Sequence, residues 1–138
     1  MVLLLTCTAL GIIALGIGVV LHLSLPFWQL FSGITAFPAS RRENIRIPKL
    51  RRRLSVVYYG VGGVFLTGSV LLSAKTIQPE FLFAILPLLL FVALDVVWLL
   101  YRIYDNNVYT PELKRNALFA FLGINVLFSV FYFLSFYT

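Results

Sequence analysis

Asp95 is the residue of this chain that is best suited, by its type and position, to a chemical role. It is the only charged side chain inside the four long apolar segments of the 138-residue sequence. Carboxylates within membrane segments mark ion or proton pathways, or they serve as hydrogen-bond partners. A catalytic carboxylate pair would need a second acid nearby, and the apolar segments contain none. Two roles stay open for Asp95: a site in a transport pathway, and a structural, hydrogen-bonded or protonated acid.

Three polar side chains are predicted to lie at about the depth of Asp95. Tyr58 and Tyr59 follow the start of the second apolar segment, and His22 lies near the end of the first. Each is about two helical turns or less from the same polar end as Asp95. A short link joins the second and third segments, so they should be antiparallel neighbours. We predict that Asp95 faces the bundle interior or a partner subunit, with Tyr58, Tyr59 or His22 beside it.

No catalytic or metal-binding constellation accompanies these residues. The sequence has one histidine and one cysteine, Cys7, which exclude a Cys/His metal cluster. The glycine cluster at 60–63 lies inside an apolar segment and not at a strand-to-helix turn, so it is a poor phosphate-binding loop. We therefore expect a protein that is not an enzyme and has no catalytic residue, metal or cofactor.

The composition is that of an integral membrane protein. Hydrophobic residues make up 61% of the chain and charged residues 12%, against about 45–50% and about 25% in soluble domains. Apolar runs of this length are typical of transmembrane helices. We predict an all-α integral membrane protein, a single domain 1–138 with four transmembrane helices in an antiparallel bundle. The predicted spans are about 2–25, 54–74, 81–101 and 116–137.

A basic stretch at 33–53 separates the first two spans and predicts the topology. It carries seven basic residues and one acid, a net +6 that equals the charge of the whole chain. The third connection adds Arg102, Lys114 and Arg115, whereas the second has only Lys75. Because basic loops stay in the cytoplasm, the N-terminus and the C-terminus are both predicted to be extracytoplasmic.

The same basic stretch predicts contact with anionic lipid headgroups. Its charge flanks membrane segments, where topology and lipid account for it better than nucleic acid, which we do not expect as a partner. A short surface helix is predicted from Ser40, where Ser40 to Glu43 fits a capping box. The residues predicted to contact headgroups are Arg41, Arg42, Arg46, Lys49, Arg51, Arg52 and Arg53.

Small residues and prolines predict how the helices pack and end. Ala14 and Gly18 form a small-xxx-small pair that allows another helix to approach closely. On the second span, Gly60, Gly63 and Thr67 fall at i, i+3 and i+7 and predict one smooth contact face.

Pro26 should end or kink the first helix, followed by a short interfacial helix. The alternative is a first helix that continues to Phe31. Thr110 and Pro111 form an N-cap and N1 pair for the fourth span.

Two motifs around the basic stretch carry a family resemblance. Phe31-Ser32-Gly33 matches an apolar-Ala-Gly motif, and Ile47-Pro48-Lys49-Leu50 matches an Ile-Lys-Lys-Leu-like tetrapeptide that enters the next helix. Over about residues 5–101 the chain resembles small uncharacterised bacterial membrane proteins of domain of unknown function 3784. It departs from them at Ile34-Thr35-Ala36, where the family has an aromatic residue and Asn-Thr, and at Pro48. The loop layout also resembles immunity proteins of the sporulation-delay toxin type.

These observations lead to one functional hypothesis and one alternative. The hypothesis is a small multi-pass protein of the bacterial cytoplasmic membrane that acts through intramembrane protein–protein interaction. It would be an accessory subunit of a membrane complex or a toxin-immunity protein, with membrane lipids and another membrane protein, or itself, as partners. The alternative is a small oligomeric transporter or channel with Asp95 in the pathway, although few polar residues lie in the spans.

Overall fold

Four long helices form most of the chain in a computed structural model, which describes residues 1–137. Each is long and apolar enough to cross a membrane. The shortest has 22 residues, a length of about 33 Å against a hydrocarbon core of about 30 Å. No β-strand occurs in residues 1–137, so the prediction of an all-helical chain with four candidate spans is confirmed. The long helices are α1 (Val2–Leu23), α4 (Ile47–Ser73), α5 (Pro79–Tyr104) and α6 (Pro111–Tyr137), and the short helices are α2 (Trp28–Ser32) and α3 (Ala39–Arg42).

The helix ends follow local sequence signals. At the end of α1, Ser24 takes a left-handed conformation with φ 56°, and the Leu25 N–H donates to the Val20 carbonyl at 3.0 Å. The helix therefore stops before Pro26, and the alternative of a continuous helix to Phe31 is wrong. α4 begins earlier than the predicted span, at Ile47, because proline fits the first turn of a helix, where its missing N–H has no partner to lose.

The N-terminus of α6 confirms its predicted cap. α6 begins at Pro111, and the Thr110 hydroxyl accepts a hydrogen bond from the Leu113 N–H at 3.3 Å. The capping box predicted at Ser40 is wrong. α3 begins at Ala39, so Ser40 lies inside the helix, and its N-cap residue, Pro38, has no side-chain acceptor for a cap bond.

The chain divides into two compact units, Met1–Asn106 and Asn107–Thr138. The second unit consists mainly of α6. All residues of α6 are at least partly exposed, and aromatic rings follow one another along it. The Phe128 and Tyr132 rings stack with centroids 5.8 Å apart, and Tyr132 meets Phe136 edge-on at 5.0 Å.

In the first unit, α1 and α4 run antiparallel and approach closely through small residues. A Cβ atom added to Gly62 would lie 2.8 Å from the Leu15 side chain and 3.0 Å from the Gly11 carbonyl oxygen. One added to Gly18 would lie 2.7 Å from the Tyr59 ring. Ala14, one turn before Gly18, is also buried. Only hydrogen fits at these glycines, which is how membrane helices gain close van der Waals contact.

The contact face predicted from Gly60, Gly63 and Thr67 is wrong within this chain. Cβ atoms added to Gly60 or Gly63 would meet nothing within 4 Å, and Thr67 is exposed. Two residues of α-helix turn the chain by about 200°, so Gly60 lies nearly opposite Gly62. The buried side of α4 instead carries Gly62, Gly68 and Ser69 together with the large residue Phe65.

A pair of hydroxyl groups joins α1 and α4 near the other end of their contact. The hydroxyl oxygens of Thr8 and Ser69 lie 2.5 Å apart. The Ser69 hydroxyl also lies 3.1 Å from the Leu4 carbonyl, to which the Thr8 hydroxyl donates at 2.8 Å. These polar groups are thus satisfied inside the unit, as a low-dielectric setting requires.

α5 pairs with α4 as an antiparallel neighbour after a short link. A Cβ atom added to Gly68 of α4 would lie 3.0 Å from the Leu82 side chain of α5. Leu82 and Leu86 are buried with Cys7 of α1 and Phe65 of α4 in one apolar cluster. α4 therefore lies between α1 and α5 and holds the first unit together.

Candidate functional site

The basic stretch (33–53) and the short helix α2 before it form a folded segment that covers one end of the first unit, here called the basic end. α2, a 3₁₀ turn (Ile34–Ala36) and α3 follow one another from 28 to 42. Gly33 joins the first two with φ 74°, a left-handed conformation that favours glycine. Ile34 and Ile45 from this segment are buried against Leu21 of α1 and Leu54 of α4. The segment is therefore held by a small hydrophobic core, in addition to the hydrogen bonds to the helices that are described below.

Two tyrosine hydroxyls fasten the segment around Gly33. Tyr58 of α4 donates to the Phe31 carbonyl at 3.0 Å, and Tyr101 of α5 donates to the Ser32 carbonyl. The Tyr101 ring also stacks on Phe37, with centroids 5.2 Å apart. The last turn of α2 is therefore bonded to both α4 and α5.

A backbone bridge connects the same segment to the end of α5. Ile45 and Asp105 form an isolated antiparallel bridge. The Arg46 N–H donates to the Tyr104 carbonyl, and the Asn106 N–H donates to the Asn44 carbonyl, both at 3.0 Å. The first and third connections thus meet at the basic end, although about 60 residues separate them along the chain.

Three arginines of the basic stretch are used to hold this fold. Arg41 lies 3.7 Å from the Asp105 carboxylate and 5.0 Å from the centre of the Phe37 ring. The Arg42 guanidinium donates to the Phe37 carbonyl at 2.6 Å and to the Thr35 carbonyl at 3.3 Å. Such cation–carbonyl bonds fix a loop conformation because charged donors are strong.

Arg51 is the third inward arginine, and its guanidinium lies 5.4 Å from the centre of the Trp28 ring. This cation–π contact joins the first turns of α4 to α2. The four other basic residues of the stretch are exposed and point away from the small core. They are Arg46, Lys49, Arg52 and Arg53.

Asp95 does not lie beside the polar residues predicted for it. It follows Leu86 by nine residues, or two and a half helical turns, and therefore lies on the opposite side of α5 from that buried leucine. Tyr58 bonds to the Phe31 carbonyl, and Tyr59 packs over Gly18 of α1. The prediction of a tyrosine or His22 neighbour was wrong because it used depth alone and not the direction of each side chain.

Asp95 is half-buried, whereas His22 is exposed at the end of α1. The His22 ring lies 6.2 Å from the Tyr59 ring, centroid to centroid. The structure thus brings Tyr59 and His22 together. Across residues 1–137, no three His, Cys, Asp or Glu side chains are grouped so that they could hold a metal ion.

Tyr101 is the main residue that the sequence reasoning missed. Its hydroxyl bonds a residue 69 positions away in the chain, a separation that no local pattern reports. The only signal was its position beside Arg102 at the predicted end of the third span. Trp28 and Phe37 were missed for a different reason, because aromatic residues at a membrane interface are common without any partner.

The fold and the site define a helical protein with four candidate membrane spans and a folded, basic end. The chain has no match among protein-family models, curated proteins or solved structures.

Proposed function

We propose that this chain is a non-enzymatic membrane protein that acts through contacts with another membrane protein. The observation that carries the proposal is how the hydroxyl groups of the first unit are used. Four hydroxyl groups form hydrogen bonds within the chain, and each bond connects two different elements of the fold. They belong to Thr8, Ser69, Tyr58 and Tyr101. A hydrated pathway needs polar groups directed at its lumen, whereas these groups stabilise packing.

The position of Asp95 also favours interaction over transport through this unit. Asp95 lies on the side of α5 away from Leu86 and the contact with α4. A pathway between α1, α4 and α5 would not contain it. An acid placed there is suited to a structural hydrogen bond, which is the role expected of a polar group in helix association.

Two roles fit this proposal, both in a bacterial cytoplasmic membrane. One is an accessory subunit of a larger membrane complex. The other is an immunity protein that protects its own cell from a toxin, as the resemblance of the loop around Phe31-Ser32-Gly33 suggests. The tyrosine bonds to Phe31 and Ser32 would give that loop a fixed shape for recognition.

The experiment is native mass spectrometry of the tagged, full-length protein, purified in mild detergent after chemical crosslinking in cells. We expect a second membrane protein at fixed stoichiometry. A symmetric assembly of this chain alone would contradict the proposal and support the small oligomeric transporter. Deletion of the gene separates the two favoured roles: cells that lose an immunity protein become sensitive to toxin secreted by their parent strain.

The proposed topology has the basic end in the cytoplasm and both termini outside. Reporter fusions after Asn44 or Asn107 should be active only as cytoplasmic reporters, and a C-terminal fusion only as an extracytoplasmic reporter. A cytoplasmic C-terminus would mean that one of the four candidate spans does not cross the membrane.

A further inference from the structure

We propose that the outward side of α4 at the basic end binds the phosphate-bearing headgroup of an anionic phospholipid. Lys49, Arg52 and Arg53 are exposed, and helical spacing places them within an arc of about 100°. Leu50 and Leu54 occupy the other side of the same two turns and are buried. The first turns of α4 thus present three cations together, and exposed Arg46 at the N-cap adds a fourth.

These four cations differ from the other three in what surrounds them. Arg41 is paired with the Asp105 carboxylate, and the remaining inward arginines bond carbonyl groups or an aromatic ring. In the described part of the chain, the outward four have no such partner. The nearest acid in sequence is exposed Glu43, three residues before Arg46. A net positive charge therefore remains on the outward side.

The apolar side chains at this end place the membrane interface at the level of these cations. Phe27 is 74% exposed and Leu30 is 67% exposed, on either side of Trp28 in α2. Trp28 contacts Arg51 of α4, so this apolar pair lies at the height of the α4 cations. Exposed Phe and Leu beside basic residues are typical of segments at the boundary between headgroups and acyl chains.

The side of α4 below the cations can accept an acyl chain. Val56, Gly60 and Val64 continue from Arg53 along the same outward side and are exposed. Because an apolar surface adjoins the cations, a phosphate carried on a lipid fits better than a soluble phosphate. This inference is independent of the proposed function, since it concerns the lipid shell and not the protein partner.

The test is lipid retention by the full-length protein in native mass spectrometry, with phosphatidylglycerol and with phosphatidylcholine of the same acyl chains. Removing the three helical cations should weaken retention of phosphatidylglycerol on the order of 100-fold and leave phosphatidylcholine unchanged. Wild-type retention of phosphatidylglycerol should also fall as salt rises. The test variant is Lys49→Gln/Arg52→Gln/Arg53→Gln, and the matched control, with the same charge change, is Arg102→Gln/Lys114→Gln/Arg115→Gln.

Equal losses in both variants would overturn the site, because retention would then follow net charge alone. Displacement of the lipid by millimolar inorganic phosphate would assign the cations to a soluble phosphate and overturn the lipid proposal.

If the test variant does not fold, the proposal is tested by photolabelling of the wild-type protein. The protein is placed in vesicles that contain a phosphatidylglycerol analogue with a photoreactive acyl chain. Labelling at Val56, Gly60 and Val64 supports the proposal. Labelling spread evenly over exposed α1 residues such as Ile12, or crosslinks from these cations to an acidic protein segment, contradicts it.

Discussion

Replacing Gly62 with alanine tests the close approach of α1 and α4 at a glycine that lies against the backbone of the other helix. The new Cβ atom would lie 2.8 Å from the Leu15 side chain and 3.0 Å from the Gly11 carbonyl oxygen. Leu15 can change its rotamer, but the carbonyl belongs to the α1 backbone, so the helices must separate. Overpacking of this kind costs about 1–3 kcal/mol.

Gly60→Ala is the matched control, two residues earlier on the same helix. Its Cβ atom would meet nothing within 4 Å. Both substitutions gain about 1 kcal/mol from the better helix propensity of alanine. That gain cancels in the comparison, so Gly62→Ala should be less stable than Gly60→Ala by about 1–3 kcal/mol.

The measurement is the free energy of unfolding of each variant by SDS titration in mixed micelles, followed by circular dichroism. We expect Gly60→Ala to be at least as stable as the wild type and Gly62→Ala to unfold at a lower SDS fraction. The reasoning about the helix contact is refuted if Gly62→Ala is as stable as Gly60→Ala or more stable.

Three further predictions concern the hydroxyl groups and the intramembrane acid. Tyr101→Phe should weaken the fold of the basic stretch by about 1 kcal/mol, seen as roughly fivefold faster trypsin cleavage there; an unchanged rate would mean that the bond to Ser32 does not hold the segment. A double-mutant cycle of Thr8→Val and Ser69→Ala should give a coupling energy of about 0.6 kcal/mol, and at most about 1.7; zero coupling would exclude the hydroxyl pair. Asp95→Asn should leave partner association and stability in detergent unchanged, because an amide keeps most hydrogen bonds; loss of a transport activity with assembly intact would favour the channel alternative.

The sequence by itself determined the all-helical class and the four candidate membrane spans of this protein. An apolar segment that crosses a bilayer must satisfy its own backbone hydrogen bonds, so its length and composition alone specify a helix. The cap at Thr110 and Pro111 was also predictable, because the donor and acceptor lie within one turn. Such features depend on near neighbours in the chain.

Only the tertiary structure decided which sides of the helices meet and how the basic stretch folds. Gly60 and Gly62 differ by about 200° around α4, and nothing local indicates which of them faces α1. The same ambiguity misled the prediction for Asp95, whose depth in the membrane was inferred without its direction around α5. The separation of the seven basic residues into inward and outward sets depends on Phe37, Trp28 and Asp105. Contacts between distant parts of the chain determine these features, so the periodicity of the sequence does not predict them.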